Sequence, residues 1–294
     1  IFDDQSIQMF FNELLTLYSG DVVDDNVKQF KEYSCAQHQA YYSGAYLSYQ
    51  EYWLRKMNGF RYTELIPDRN SSIDNFKKTN FILINKEQYS FATQFAANKN
   101  MSLSSLILSA WMLVLSYFSS QNQVSAGLRV TNRMSEFKRT MGCFLEKIIL
   151  IIEINERISL GEYLILFEAE YNKTLENSFY PFYLLTQEYK QDKLFSILFN
   201  YMIIDNNPIS NGDITLIPYK YEPKILNSKY TFNFRIFDDK SKVSCSLKYK
   251  DSLYSDKYTQ RMFALFRMII DNMLDNTEIT IENIFKKQEM VEYD

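Results

Sequence analysis

Residues 231–250 read TFNFRIFDDKSKVSCSLKYK, and this stretch decides the class of fold. Phe232, Phe234 and Ile236 alternate with Thr231, Asn233 and Arg235, and Val243, Cys245, Leu247 and Tyr249 alternate with Ser244, Ser246 and Lys248. Successive side chains of a strand point to opposite faces, so a period of two marks two half-buried strands. Asp238-Asp239-Lys240 supplies a turn between them, and the pair predicts a β-hairpin. The period then changes. Asp256–Leu274 carries apolar residues at helical spacing behind Ser255, a capping residue type.

Working outward, Phe195–Met202 reads as a strand and Leu160–Asn177 as a helix. Val124–Val130 and Lys147–Ile154 read as strands, and Phe81–Ile84 as a short one. Lys86–Ala97 and Ser102–Ser119 read as helices, the second apolar on several faces and therefore deeply buried. Phe30–Met57 is aromatic-rich and mostly helical, divided at Gly44. Ile7, Phe10, Phe11, Leu14, Leu17 and Tyr18 mark a first helix, with Asp3, Asp4 or Ser6 as its cap and Gly20 as its stop before the acidic turn Asp21–Asp25. Ile66–Ser72, polar and holding Pro67, is the best linker. Helices and strands mix without a strict βα repeat, so the fold class is α/β in the mixed, α+β sense.

Composition narrows function. With 46% hydrophobic and 23% charged residues in 294, the chain is globular and long enough for two domains. Only 7 Gly and 5 Pro exclude collagen-like and flexible-linker chains. A net charge of −4 without a basic stripe lacks the footprint of a nucleic-acid binder. Cys35, Cys143 and Cys245 form neither a disulfide framework nor a zinc site, which points to a reducing compartment, the cytoplasm. The longest apolar stretch, Leu103–Phe118, is broken by serines and too short to span a bilayer, and no signal peptide opens the chain. A single histidine, His38, excludes multi-histidine metal sites, so no metal is expected.

No phosphate loop, G-x-G-x-x-G or G-x-S-x-G element occurs. Asp3-Asp4 reads as a helix cap, His38 as a solvated helix residue, and Cys143, lacking a partner histidine, as a buried structural thiol. From these residues alone the chain is a two-lobed mixed α/β protein without assigned chemistry.

Ordered blocks carry a resemblance. Phe2-Asp3-Asp4-Gln5-Ser6, with Leu17-Tyr18 behind it, is similar to the second half of a His-His-x-x-x-Asp-Gly signature. Phe30-Lys31-Glu32-Tyr33 and Tyr46–Trp53 resemble an aromatic helix. Thr131-Asn132-Arg133, Met141-Gly142-Cys143-Phe144, Asn177-Ser178-Phe179-Tyr180-Pro181-Phe182 and Asp192-Lys193-Leu194-Phe195 follow in order, and the tail from Ile281 to Glu289 looks like a lead into a further module. Together they resemble the condensation domain of nonribosomal peptide synthetases, across nearly all of the chain.

That resemblance implies the chloramphenicol acetyltransferase-like fold, two lobes with a tunnel between them. Residues 1–70 would be the end of the N-terminal lobe and the inter-lobe linker, and 71–294 the C-terminal lobe. It implies amide formation between a carrier-bound acyl thioester and a carrier-bound aminoacyl amine. Carrier proteins and an adjacent adenylation domain are the implied partners, with no nucleic acid and no membrane. No cofactor is bound directly; substrates ride on phosphopantetheine. Asp3 would be the motif aspartate, structural and paired with Arg133, while Asp4, Ser6, Arg133, Gly142 and Asn200 would lie along the substrate tunnel. The catalytic histidine pair would fall just ahead of residue 1. Exposed apolar surface is therefore expected where the rest of that lobe would pack, with poor solubility or partial disorder in residues 1–70. Asp4 replaces the motif glycine and Glu146-Lys147 an Asn-Thr pair. Two alternatives follow: a noncatalytic docking platform for carriers, and a free-standing thioester-dependent acyltransferase.

Overall fold

The structure, a computed structural model, describes residues 2–24, 26–72, 75–190, 194–204, 207–211, 213–217 and 228–293, with side chains to 290. In chain order the elements are α1 (Asp4–Tyr18), α2 (Phe30–Tyr42), α3 (Leu47–Lys56), β1 (Phe76–Ile84), α4 (Lys86–Asn98), α5 (Leu103–Ser119), β2 (Gln123–Thr131), β3 (Leu145–Glu153), α6 (Leu160–Glu176), α7 (Phe182–Glu188), β4 (Ile197–Ile203), β5 (Ile209–Asn211), β6 (Ile214–Leu216), β7 (Phe232–Asp238), β8 (Val243–Lys250), α8 (Asp256–Asp275) and α9 (Ile281–Tyr293).

The hairpin read from residues 231–250 is β7–β8, paired antiparallel with Phe234 opposite Leu247 and Ile236 opposite Cys245. Its turn starts one residue later than expected. Asp238 closes β7, and Asp239 Oδ1 accepts from the backbone N–H groups of Ser241 and Lys242. Six strands make one mixed sheet in the order β1-β8-β7-β4-β2-β3. β4 runs parallel to both β2 and β7, and the other neighbours are antiparallel.

Both faces of the sheet are covered. On one, α5 lies under α6, α8 and α9, and every apolar residue of α5 except Tyr117 is buried. Trp111 packs 4.3 Å from Phe234 and 5.6 Å from Phe266, joining helix, sheet and α8. On the other face, Ile149, Ile151 and Leu198 meet Tyr52 and Trp53 of α3, its C-cap Met57, and Leu184 and Leu185 of α7. β3 is therefore apolar on both sides, which is why its sequence does not alternate.

Local signals set the ends. Ser102 and Ser255 cap α5 and α8, each accepting from a backbone N–H three residues on. Gly44, at φ +75°, breaks the aromatic helix into α2 and α3. Ile66–Ser72 is extended and tied down: Ile66 N–H donates to Phe118 O, Arg69 N–H to Leu253 O and Ser71 N–H to Ser252 O. No single helix among the described residues is long and apolar enough to cross a membrane; α4 and α5 qualify only as a pair bent by 91°.

α1 exposes an apolar face. Phe2, Ile7, Phe10, Phe11, Leu17 and Tyr18 are all exposed, and only Ser6 and Leu15 of the helix are buried.

Candidate functional site

Four of the sequence blocks converge at the start of α1. Asp3 is the N-cap: its Oδ1 accepts from Ser6 N–H at 2.9 Å. The loop between β2 and β3 wraps this cap. Arg133 Nη2 donates to both Asp3 oxygens, at 2.9 and 3.0 Å, and to Ser6 Oγ at 2.9 Å. Phe144 N–H donates to Asp3 Oδ2 at 3.1 Å. Ser6 Oγ donates to Gly142 O and accepts from Gly142 N–H, while Asp3 N–H also donates to Gly142 O.

Arg133 is the hub of this loop. Its Nη1 donates to the carbonyls of Phe137 and Thr140, and its guanidinium lies 3.9 Å from the centroid of the Phe144 ring. The ion pair is out of water, with side chains 3% and 4% exposed. An aromatic wall of Phe30, Tyr33, Phe137 and Phe144 encloses it, with Tyr33 and Phe144 centroids 4.7 Å apart. Gly142 is required for this closeness, since a Cβ there would stand 2.1 Å from a ring carbon of Phe30.

Electrostatics follow from the geometry. Burial pushes the Asp3 carboxyl up, but the Ser6 and Phe144 hydrogen bonds and the Arg133 charge outweigh it, so it lies below the ordinary 3.8. A carboxyl depressed on folding contributes stability above its unfolded value and loses it as pH falls toward the folded one. Unfolding free energy should therefore drop as pH is lowered below 3.8, and Asp3→Asn should remove that part of the slope; urea titrations from pH 5 to pH 2 check this. Burial raises the Tyr33 phenol to about 12, with Tyr46 and Glu146 as further causes. Burial also raises the Glu146 carboxyl.

A second link joins the blocks. Asn132 Nδ2 donates to Ser178 O at 2.7 Å, Ser178 Oγ donates back to Asn132 Oδ1, and Trp53 Nε1 donates to Asn177 O at 3.0 Å. Thr140 Oγ1 donates to Lys28 O and so ties the loop to the approach to α2.

The remaining expected site residues lie apart from this cluster. Asp4 is exposed and lines a groove of about 920 Å³ between α1 and the end of β4, with Ile7, Phe11, Ile203 and Phe237. Asn200 is half-buried in mid-β4, opposite Arg235 of β7. Cys143, expected to be buried, is half-buried because it sits on the outer side of the turn between buried Gly142 and Phe144. His38 is exposed on α2 against Tyr42. Ile1, Asp25, Asp192 and Lys193 lie outside the described residues. Among the described residues no cluster of His, Cys, Asp and Glu could hold a metal ion.

The carboxylate of Asp3 and the hydroxyl of Ser6 are both engaged inside the cluster, by Arg133, Gly142 and Phe144. Its chemistry is fixation: it holds the first turn of α1, and with it the backbone entering Asp3. A family model described as the Condensation domain matches residues 1–290. The chain belongs to the condensation-domain family.

Curated relatives agree. Bacitracin synthase 1 of Bacillus licheniformis is 23% identical over 294 residues, 97% of this chain and 6% of that protein. Gramicidin S synthase 2 of Brevibacillus brevis is 22% identical over 300 residues, 97% of this chain and 7% of that protein. The condensation-domain chain thus spans under a tenth of the length of these relatives. Among solved structures, the condensation domain of the Monacolin K polyketide synthase MokA has a TM-score of 0.80 at 17% identity, covering 95% of this chain and 68% of that one. The X-domain from teicoplanin biosynthesis has a TM-score of 0.76 at 12% identity, covering 95% and 68%. These likenesses establish the chloramphenicol acetyltransferase-like condensation fold.

Proposed function

We propose that this condensation-domain chain serves amide formation between two carrier-bound substrates. The acceptor amine attacks the donor thioester carbonyl; the C–N bond forms, the C–S bond breaks, and the phosphopantetheine thiol leaves with a proton. The observation that carries the reading is the buried Asp3–Arg133 pair with Ser6, Gly142 and Phe144 around it, which fixes the turn that follows the motif's histidines. Two tethered reactants need attack geometry, and a fixed loop beside the site supplies it. In this reading Asp3 and Arg133 position, and Asp4, Ser6, Gly142 and Asn200 border the substrate path. Carrier domains and an adenylation domain are the partners, phosphopantetheine is the substrate carrier, and the compartment is the reducing cytoplasm, in keeping with three free cysteines. All strands of the large sheet fall in 71–294, which supports placing the C-terminal lobe there and the end of the N-terminal lobe in 1–70.

Asp4 stands where the motif has glycine. Binding separates the effect of Asp4 from the chemistry. Asp4 is exposed but opens α1 and is its first-turn acid, so Asp4→Gly should cost about 1 kcal/mol of stability, which leaves the fold intact. Its loss removes a negative charge at the groove, so a phosphopantetheine-borne aminoacyl analogue, itself anionic, should bind about twofold to fivefold tighter at low salt, read by fluorescence anisotropy. Unchanged or weaker binding contradicts a role for this groove in the substrate path.

A further inference from the structure

The cover that α3 and α7 give the second face of the sheet reaches Leu198 of β4, and beyond it, across β7, β8 and β1, that face carries cations. Phe234, Ile236, Cys245 and Leu247 point into the α5 core, so Arg235, Ser246 and Lys248 stand on the opposite face. Asn200, two residues along β4 from Leu198, shares it. Register puts Asn200 opposite Arg235, Arg235 opposite Ser246, and Lys248 opposite Lys78. Arg235 and Lys78 are exposed, and Lys248 and Asn200 are half-buried.

The sheet does not balance this charge. Lys78, Arg235 and Lys248 form no ion pair among the described residues, and Lys248 Nζ rests over the Phe76 ring, 5.1 Å from its centroid. β1, β4 and β8 hold no Asp or Glu, and Asp238 of β7 turns to the core side, accepting from the Tyr201 hydroxyl. Like charges directly opposite in a sheet repel, as Lys78 and Lys248 do. Burial and the Arg235 charge hold the Lys248 ammonium below its ordinary value. A bound anion relieves both.

Ser246 is a separate observation. It is 4% exposed, its hydroxyl has no partner among the described residues, and the oxygen is not sealed from solvent. A hydroxyl buried among cations and left unpaired forgoes a hydrogen bond that a ligand oxygen restores. The row also adjoins the groove beside α1. Two residues along the same face, about 7 Å, Met202 stands opposite Phe237, and both line that groove. The one carboxylate lining the groove, Asp4, belongs to α1 and not to the sheet.

We propose that Arg235, Lys248, Ser246 and Asn200 bind a second carboxylate of the carried acyl group, so that the chain favours a dicarboxylic acyl or acidic aminoacyl substrate. This rests on the place of the groove in the substrate path. A carrier-bound acyl group has one carboxyl in its thioester, so a carboxylate at the row is a further one. The guanidinium and the Ser246 hydroxyl donate to its oxygens, the Asn200 amide adds a donor, and Lys248 balances the charge.

The test is calorimetric titration of the natural polypeptide that contains these residues with S-carboxypropyl, S-butyl and S-aminopropyl pantetheine. The carboxypropyl compound should bind about threefold to tenfold tighter than the butyl one at low salt, and the aminopropyl one weaker than either. Arg235→Gln with Lys248→Gln should abolish the preference, Ser246→Ala should reduce it, and Lys248→Glu should turn it toward the aminopropyl compound. Butyl binding uses none of these charges, so it should stay within about twofold in every variant and reports an intact fold. Equal binding of the carboxypropyl and butyl compounds overturns the carboxylate site and leaves the substrate path standing. Binding of none of the three removes the path and the inference together. S-butyl phosphopantetheine gaining the same advantage through the same residues gives the row to the carrier's phosphate and overturns the substrate preference.

Discussion

Arg133→Ala should lose about 3–5 kcal/mol of unfolding free energy, read from the urea midpoint at pH 7 with the slope unchanged. The reason is geometric. The side chain is 3% exposed and makes every bond that links the cap of α1 to the β2–β3 loop except those of Gly142 and Phe144. Truncation leaves Asp3 buried, charged and short of its counter-ion, with the Thr140 carbonyl losing the Arg133 donor and the Phe137 carbonyl keeping only the Thr140 N–H. Arg133→Lys tests the shape of the group apart from its charge. A lysine keeps the cation but cannot reach Asp3, Phe137 and Thr140 together, so an intermediate loss is expected. Asp3→Asn combined with Arg133→Ala should cost less than the sum of the two single changes, because the stranded charge is gone. An Arg133→Ala loss under about 1 kcal/mol would mean the pair is solvated and positions nothing.

Trp53→Ala should cost a similar amount, about 3–5 kcal/mol, by the cavity it leaves. Trp53 is 1% exposed and packs with Tyr52, at 5.1 Å between centroids, into the cluster under β3 and α7. Its indole N–H donates to Asn177 O, next to the Ser178 that bonds Asn132. The one side chain thus fastens α3 to the sheet and to Asn177, beside the Ser178 that holds Asn132. Trp53→Phe fills most of the volume and loses the hydrogen bond, so about 1–3 kcal/mol is expected. Chemical denaturation of both variants separates packing from bonding, and equal losses would contradict the assignment.

The parts of this fold legible in the sequence were those with one dominant signal. The alternation in 231–250 gave β7–β8, and Ser102 and Ser255 gave two helix starts, because period and cap chemistry are local. β1 was read too short. It begins at Phe76, but Lys77, Lys78, Thr79 and Asn80 have the polarity of a loop, as suits an edge strand paired on one side only, to β8. β5 and β6 have three residues each and carry no period at all. α7 hid in the Pro181-Phe182 block, where its N-cap proline reads as a turn.

The site was legible only by resemblance. Asp3 and Arg133 are 130 residues apart, and no spacing rule pairs them. Their types alone allow a cap and a solvated arginine. The Thr140–Lys28 bond rests on a backbone carbonyl, which carries no residue identity to read, and the paired Asn132–Ser178 bonds join residues 46 positions apart that no spacing rule connects. Gly142 was singled out as a block member, but the reason it must be glycine, the Phe30 ring against its Cα, comes from tertiary packing.

The most direct measurement is product analysis with the natural polypeptide that contains these residues. It is supplied with a donor acyl thioester and an acceptor aminoacyl thioester, each on its carrier, and the acceptor carrier is examined by mass spectrometry. The account predicts an amide-linked product on that carrier, reduced at least tenfold in rate by Arg133→Lys, whose fold is retained but whose loop is loosened. Carriers that bind while the donor thioester stays intact or is only hydrolysed would contradict amide formation and leave docking as the function.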